Sequence, residues 1–232
     1  MLAKTGIISG DVAKKLLVAT KQIESEKEHP TFEINPDVED LYFNLERYLI
    51  KLTGLEVGGQ QHTARSRNDL FATEIRIDTR KVYLKLSQMF IDLRRAYLQL
   101  ARKNLDTVMS GYTHMQPSEP ITFAHYLSGV SSALARDYDR FSHAWQSLNL
   151  CPLGGCSMGS TSFPIDREYT SKLMGFDGPV QNSLDCVASR DYVLEILTAL
   201  AQTAMTMSRT ALDLYNWATP EYGYIEVDDS CA

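Results

Sequence analysis

The stretch SRNDLFATEIRIDTRKVYLKLSQMFIDLRRAYLQLARKN, residues 66–104, contains neither glycine nor proline. Because those two residues interrupt helices most strongly, it predicts one continuous helix, about 55–60 Å long. Apolar residues repeat at every seventh position on one face: Leu70, Ile77, Leu84, Ile91, Leu98 and Leu105. A second apolar set lies on roughly the opposite face: Ile75, Val82, Leu86, Met89, Leu93, Ala96 and Leu100. A helix with two apolar faces is expected to be buried in a multi-helix bundle, which other subunits can complete.

The rest of the chain is also predicted to be helical. Helical spacing of apolar residues and capping signals predict helices at residues 11–18, 37–52, 166–174 and 189–217, and another that starts at residues 118–120. Residues 24–36 and 151–164 are predicted loops, and no strand signal of any length competes. The fold class is therefore an all-α bundle. We expect a small helical N-terminal part over residues 1–65 and a bundle part over residues 66–232.

Composition restricts the class of function. The chain has 232 residues and a net charge of −6. It contains no basic run, so nucleic acid and anionic membranes are not expected partners. The sequence shows neither a signal peptide nor an apolar stretch long enough to cross a membrane. No metal-ligand spacing is present, so no metal is expected, and reduced thiols in a cytoplasmic protein are predicted for the four cysteines Cys151, Cys156, Cys186 and Cys231.

The octapeptide HTARSRND, residues 62–69, predicts an anion site at the start of the long helix. Ser66, Arg67 and Asn68 combine a hydroxyl, a guanidinium and an amide, which together suit a carboxylate. A helix N-terminus adds backbone N–H donors and a partial positive charge. The alternative is that Ser66 or Asn68 only caps the helix. For His62, a capping or supporting role is favoured.

A second polar cluster, GYTHMQP at residues 111–117, follows the long helix. His114 lies between the hydroxyl of Thr113 and the amide of Gln116, an arrangement that suits acid–base chemistry near neutral pH. The alternative is a histidine hydrogen-bonded in a loop for structural reasons. The glycine-rich residues 154–159 suggest a phosphate loop, but without the Gly-Lys-Ser/Thr ending a tight connection that needs positive φ is favoured.

Four segments resemble the fumarase/aspartase superfamily and, within it, the argininosuccinate lyases and their delta-crystallin relatives. They are HTARSRND (62–69), GYTHMQPSEPIT (111–122), PLGGCSMGSTSFPIDR (152–167) and NSLDCVASRDYVLE (182–195). The resemblance implies a homotetramer with a long central helical bundle and active sites shared between subunits. It also implies cofactor-free β-elimination of argininosuccinate to arginine and fumarate, as part of arginine biosynthesis.

The resemblance also implies roles for single residues. Ser66, Arg67 and Asn68 are expected to hold the succinyl carboxylates of a dicarboxylate substrate. Thr113 is expected to contact the substrate, His114 to serve as an acid or base on the side of the leaving nitrogen, and Gln116 to help in positioning. No metal or cofactor is implied.

The sequence departs from the family pattern in several places. Leu70 stands where glutamine is usual, and Tyr42 stands where histidine is usual. The mobile serine loop and the start of the family's first domain have no counterpart, so we expect a chain shortened at both ends and inactive by itself. The alternatives are a non-catalytic, crystallin-like structural homologue and a sibling lyase for another succinyl-amine.

Overall fold

The computed structural model describes residues 1–27 and 29–231. Within that range, its elements in chain order are α1 Gly10–Ser25, α2 Leu41–Thr53, α3 Leu55–Gly58, α4 Arg67–Lys103, β1 Val108–Thr113, β2 Gln116–Thr122, α5 Phe123–Leu148, β3 Leu150–Cys151, α6 Arg167–Leu173, β4 Gly178–Pro179, α7 Ser183–Ala188 and α8 Asp191–Trp217. A short 3-10 turn, Asp229–Cys231, follows. The predominantly helical fold that the sequence predicts is confirmed.

The chain packs as two compact units. Unit 1 consists of Met1–Arg76 and Asn149–Ser189, and unit 2 consists of Ile77–Leu148 and Arg190–Ala232. Residues 149–189 therefore group with the N-terminal segment. The sequence-based division after residue 65 differs from this grouping and stays a prediction.

In unit 1, side-chain caps set the starts of the first two helices. The hydroxyl of Ser9 accepts a hydrogen bond from the N–H of Val12, and the carboxylate of Asp40 accepts one from the N–H of Phe43. These caps satisfy donors that the first helical turn cannot pair. The helices bury a common apolar cluster: Ile8, Leu16, Ala19, Leu49 and Val57.

In unit 2, α5 packs against α8, and α5 contributes more of the buried apolar residues than any other element. Leu127, Leu134, Phe141 and Leu148 follow the seven-residue spacing of one helix face and are almost fully buried. Tyr83 of α4 stacks on Phe141 with a ring-centroid distance of 4.3 Å. This face of α4 therefore packs against α5.

The predicted long helix exists, but its predicted buried faces are wrong for the single chain. Helix α4 has 37 residues, and its ends lie one residue inside the predicted limits. In unit 2 its buried residues are Tyr83, Phe90 and Ala101. The residues predicted to be buried include six that are exposed: Val82, Leu84, Met89, Ile91, Leu98 and Leu100. Aromatic residues fill the contact with α5, so both predicted apolar stripes face away from it.

The prediction that the chain has no strands is wrong. Strands β1 and β2 form an antiparallel hairpin, and β3 and β4 form a two-residue parallel pair. Two prolines in β2, Pro117 and Pro120, and a register shift between Ser110 and Tyr112 remove the regular alternation that signals strands. The helix predicted to start at residues 118–120 starts at Phe123 instead, where the hydroxyl of Thr122 accepts a hydrogen bond from the N–H of His125.

Candidate functional site

The segment that leads into α4 is held by its own polar side chains. The backbone N–H of Ser66 donates to Asp69 Oδ1 at 3.0 Å, and the N–H of Asn68 donates to Ser66 Oγ at 3.2 Å. The hydroxyl of Ser66 therefore caps the helix, a role that the sequence had offered as the alternative to anion binding. A cap leaves the role of Ser66 in carboxylate binding untested, because the same hydroxyl keeps a proton to donate.

Asp69 is the residue of this site that sequence reasoning missed. Its side chain is fully buried, and Oδ2 accepts hydrogen bonds of 2.8 Å from the backbone N–H groups of Gly154 and Cys156. One carboxylate therefore joins the first turn of α4 to the glycine-rich loop. The available signal was an acidic residue in the first turn of a helix, which is common at helix starts without any such partner.

Arg67 lies beside Asp40, the N-cap of α2, and Tyr42 in the first turn of that helix. Its guanidinium forms an ion pair with the carboxylate of Asp40 and lies 4.2 Å from the ring centroid of Tyr42. The side chain is about one-third exposed. The guanidinium of Arg67 is therefore held by the carboxylate of Asp40 and by the aromatic face of Tyr42. Carboxylates and aromatic faces are the partners with which arginine pairs best.

His62 and Tyr42 form a direct side-chain contact. The hydroxyl of Tyr42 lies 2.5 Å from His62 Nδ1, and burial raises the pKa of Tyr42 above its ordinary value. Tyr42 thus contacts both His62 and Arg67. The supporting role predicted for His62 is consistent with this contact.

Asn68 points toward the glycine-rich loop. Its amide Nδ2 donates to the carbonyl oxygen of Ser157 at 3.3 Å, and the residue remains exposed. Positive φ occurs in this loop at Gly154 (103°), Cys156 (54°) and Ser160 (61°). The predicted tight connection is therefore confirmed.

Close packing fixes the middle of the same loop. A Cβ atom at Gly155 would lie 2.5 Å from Cys186 Cβ, so only glycine fits there. Arg167, from α6, donates to Cys186 Sγ at 3.0 Å and to the carbonyl oxygen of Val180. Cys151, Cys156 and Cys186 are buried free thiols. The close approach to Cys186 explains Gly155 as a packing requirement of unit 1.

In unit 2, the end of the hairpin carries the other three predicted site residues. Thr113 pairs with Gln116, which leaves His114 and Met115 as a two-residue turn with φ of 52° and 59°. Positive φ at both central residues is the geometry of a type I′ turn, which normally takes asparagine or glycine. All four of these residues are exposed. An exposed imidazole at a hairpin tip can exchange protons with a bound molecule.

The six predicted residues therefore form two groups. Ser66, Arg67 and Asn68 lie together at the start of α4 in unit 1, and the remaining three lie together at the hairpin tip in unit 2. Among the described residues, no group of three or more His, Cys, Asp or Glu side chains is arranged to hold a metal ion. No helix within the described ranges is long and apolar enough to cross a membrane.

Several curated proteins resemble the chain along its whole length. Argininosuccinate lyase 1 of Shouchella clausii is 47% identical over 100% of this chain and 46% of its own length. Argininosuccinate lyase of Methanosarcina acetivorans is 39% identical over 100% of this chain and 47% of its own. The chain thus spans about half the length of the curated relatives it matches.

Solved structures also superpose on it. EDDS lyase in complex with formate gives a TM-score of 0.90 at 34% identity, covering 98% of this chain and 44% of that one. Fumarate lyase from Mesorhizobium sp. BNC1 gives 0.77 at 23% identity, covering 96% and 52%, and supports the fold alone. These long-helix structures confirm the fumarase/aspartase type of fold. Residues 1–231 match the family model described as lyase, and the chain therefore belongs to the lyase family.

Proposed function

We propose that the full-length gene product is a carbon–nitrogen lyase that converts argininosuccinate to arginine and fumarate without a cofactor. The observation that carries this proposal is the donor group of Ser66, Arg67 and Asn68 at the start of α4, where the buried carboxylate of Asp69 accepts a hydrogen bond from the backbone N–H of Ser66. The argininosuccinate lyases that share up to 47% of its residues support the substrate. The EDDS lyase structures with bound formate and fumarate support carboxylate binding on this scaffold.

The proposed reaction breaks one C–H and one C–N bond. A base removes the proton from the carbon next to a carboxylate, and the charge moves into that carboxylate. The electron pair then forms the C=C bond of fumarate as the nitrogen leaves with a proton from an acid. Ser66, Arg67 and Asn68 would stabilise the charged carboxylate, because preorganised donors act most strongly on charge that develops in the transition state.

The hairpin residues supply the acid–base part of this proposal. His114 would give the proton to the leaving nitrogen, Thr113 would contact the substrate, and Gln116 would help to position it. Exposure of the imidazole at the turn leaves it accessible to a substrate. A histidine suits the task because its ordinary pKa lies near neutral pH.

We further propose that the full-length protein is a homotetramer whose subunits share active sites. Six apolar residues on two faces of α4 in unit 2 are exposed in the single chain, and exposed apolar surface of this kind favours coverage by another chain. Sedimentation of the purified protein tests this proposal, and a monomer would contradict it. A cytoplasmic location is proposed with it, supported by the free thiols of Cys151, Cys156 and Cys186.

A second candidate is a sibling lyase for another succinyl-amine, such as EDDS. Tyr42 favours this candidate because it replaces the usual histidine and contacts both Arg67 and His62. Leu70, in the first turn of α4, is the other departure. A third candidate, a crystallin-like structural protein, predicts no turnover of either substrate.

Release of fumarate, followed by its ultraviolet absorbance, separates these candidates. The full-length gene product is assayed with argininosuccinate, with EDDS and with each product pair in the reverse direction. A kcat/KM for argininosuccinate that exceeds that for EDDS supports the first candidate, and the opposite order supports the second. A folded protein without turnover would contradict both lyase proposals.

A further inference from the structure

The hairpin that carries His114 is poorly stabilised by its own backbone. Its turn places two non-glycine residues, His114 and Met115, in the left-handed region, which is unfavourable for their side chains. A two-stranded hairpin is also only marginally stable by itself in water. Contacts with the rest of unit 2 must therefore hold the hairpin in this geometry.

A pair of tyrosines makes the most direct of these contacts. Tyr112 lies in β1, two residues before His114, and its hydroxyl lies 2.6 Å from the hydroxyl of Tyr224. The ring of Tyr112 also contacts the ring of Tyr222 edge-on, with centroids 5.4 Å apart. The register of the two strands shifts between Ser110 and Tyr112, as at a β-bulge. We call Tyr112 and Tyr224 the tyrosine brace.

The far side of the brace is anchored to the helices. The backbone N–H of Tyr224 donates to the carbonyl oxygen of Trp217 at 3.0 Å, at the C-terminal end of α8. Trp217 is buried and contacts Tyr126 of α5 edge-on, with ring centroids 4.6 Å apart. The hydroxyl of Tyr126 donates in turn to Asp213 of α8 at 2.8 Å. A continuous series of contacts thus leads from the α5–α8 pair to β1.

The hydrogen bond of the brace keeps the phenol of Tyr112 neutral at physiological pH. The hydrogen bond with Tyr224 is the largest cause that raises the pKa of Tyr112, to about 12. The hydroxyl proton of Tyr112 therefore remains in place at neutral pH.

We propose that Tyr112 and Tyr224 are positioning residues that hold His114 in the orientation needed for proton transfer. The role assigned to His114 rests on the proposed lyase function. The stabilisation of the hairpin by the brace does not depend on that function. Neither tyrosine is assigned to substrate binding. The brace acts through β1, whose last residue, Thr113, lies between Tyr112 and the histidine.

Phenylalanine variants of the full-length gene product test the brace. Tyr112→Phe and Tyr224→Phe each remove one hydroxyl and keep the ring. Tyr222→Phe is the matched control, because its ring contacts Tyr112 while its hydroxyl has no hydrogen bond among the described residues. We expect each brace variant to lower kcat about fivefold, as for the loss of one hydrogen bond, with KM unchanged. The double variant should fall no further than either single variant.

Amide hydrogen exchange of residues 108–122 gives a second readout that needs no activity. Exchange in this hairpin should be about fivefold faster in both brace variants and unchanged in the control. If the wild-type protein shows no turnover but the exchange pattern holds, the lyase proposal fails and the hold on the hairpin stands. If Tyr224→Phe matches Tyr222→Phe in exchange, the brace is overturned. Faster exchange with an unchanged kcat would overturn the positioning of His114.

Discussion

The buried carboxylate of Asp69 accepts a hydrogen bond of 2.8 Å from the backbone N–H of Cys156, which lies 87 residues further along the chain. The same carboxylate binds the N–H groups of Gly154 and Ser66. Asp69 therefore holds the backbone at Ser66, before Arg67, and its own bonds to the glycine-rich loop hold the backbone after Asn68. This relationship makes Asp69 the structural centre of the site in unit 1.

Replacing Asp69 with asparagine should destabilise the protein strongly. The amide offers one accepting oxygen where the carboxylate has two, and its NH2 group would face backbone donors. We expect the free energy of unfolding to fall by about 2–4 kcal/mol, from the lost hydrogen bonds and the unpaired buried groups. Urea denaturation measures the change.

Asp78→Asn is the control on the same helix. Asp78 is exposed and forms an ion pair with Lys81 at 2.8 Å. Exposed pairs of this kind contribute little, so we expect a change of less than about 1 kcal/mol. Equal losses in the two variants would contradict the role assigned to Asp69.

The sequence was sufficient to predict what depends on local pattern. The absence of glycine and proline predicted α4 to within one residue at each end, and capping residues predicted the starts of α1 and α6. Such features depend on residues that are near each other in the chain. The grouping of Ser66, Arg67 and Asn68 at a helix start was predictable for the same reason.

Long-range partners were not predictable. The pairing of Asp69 with Cys156, and of Arg67 with Asp40, depends on how distant segments pack. The hairpin that carries His114 escaped prediction because its turn residues, His114 and Met115, are unusual at positive φ. The contact of α4 with α5 was not predicted because aromatic residues, Tyr83 among them, make it, whereas burial of the two apolar faces by other subunits stays a prediction.

Arg67→Lys tests the proposed carboxylate role directly. Lysine keeps the charge but loses the planar fork and the stacking on Tyr42. For the full-length gene product we expect kcat/KM to fall on the order of 10- to 100-fold, from the loss of charge-assisted hydrogen bonds. Steady-state assays of fumarate release measure this ratio.

The matched control for that substitution is Arg95→Lys. Arg95 lies on α4, is more than half exposed and pairs with Asp92 three residues before it. Its replacement should leave kcat/KM unchanged. An Arg67→Lys protein with wild-type kcat/KM would remove Arg67 from the proposed site.

Buried thiols should make the protein less stable at alkaline pH. Burial raises the pKa of Cys151 above its ordinary value of 9.0, so the unfolded thiol ionises before the folded one. The stabilising contribution is present below that pH and is lost as the pH rises through the folded pKa, by at most about 1.4 kcal/mol per pH unit for one group. Urea midpoints measured at about pH 7 and about pH 10 detect the loss.

Cys151→Ala isolates the contribution of this thiol. Burial also raises the pKa values of Cys156 and Cys186, so the variant should keep part of the alkaline loss. We expect a smaller drop in the free energy of unfolding between the two pH values than in the wild-type protein. Identical drops would show that Cys151 does not contribute.

The turn that presents His114 can be tested at its second residue. Met115 has φ of 59° and is 68% exposed, so its replacement changes backbone preference with little loss of packing. Asparagine tolerates the left-handed region, whereas valine is strongly disfavoured there. We expect Met115→Asn to be more stable than Met115→Val by about 1–2 kcal/mol. Met158, also exposed and outside the left-handed region, provides the control pair, for which that difference should be absent. Since a reversed order at residue 115 would mean that the turn is not left-handed, thermal unfolding of these four variants decides whether His114 lies on a type I′ turn.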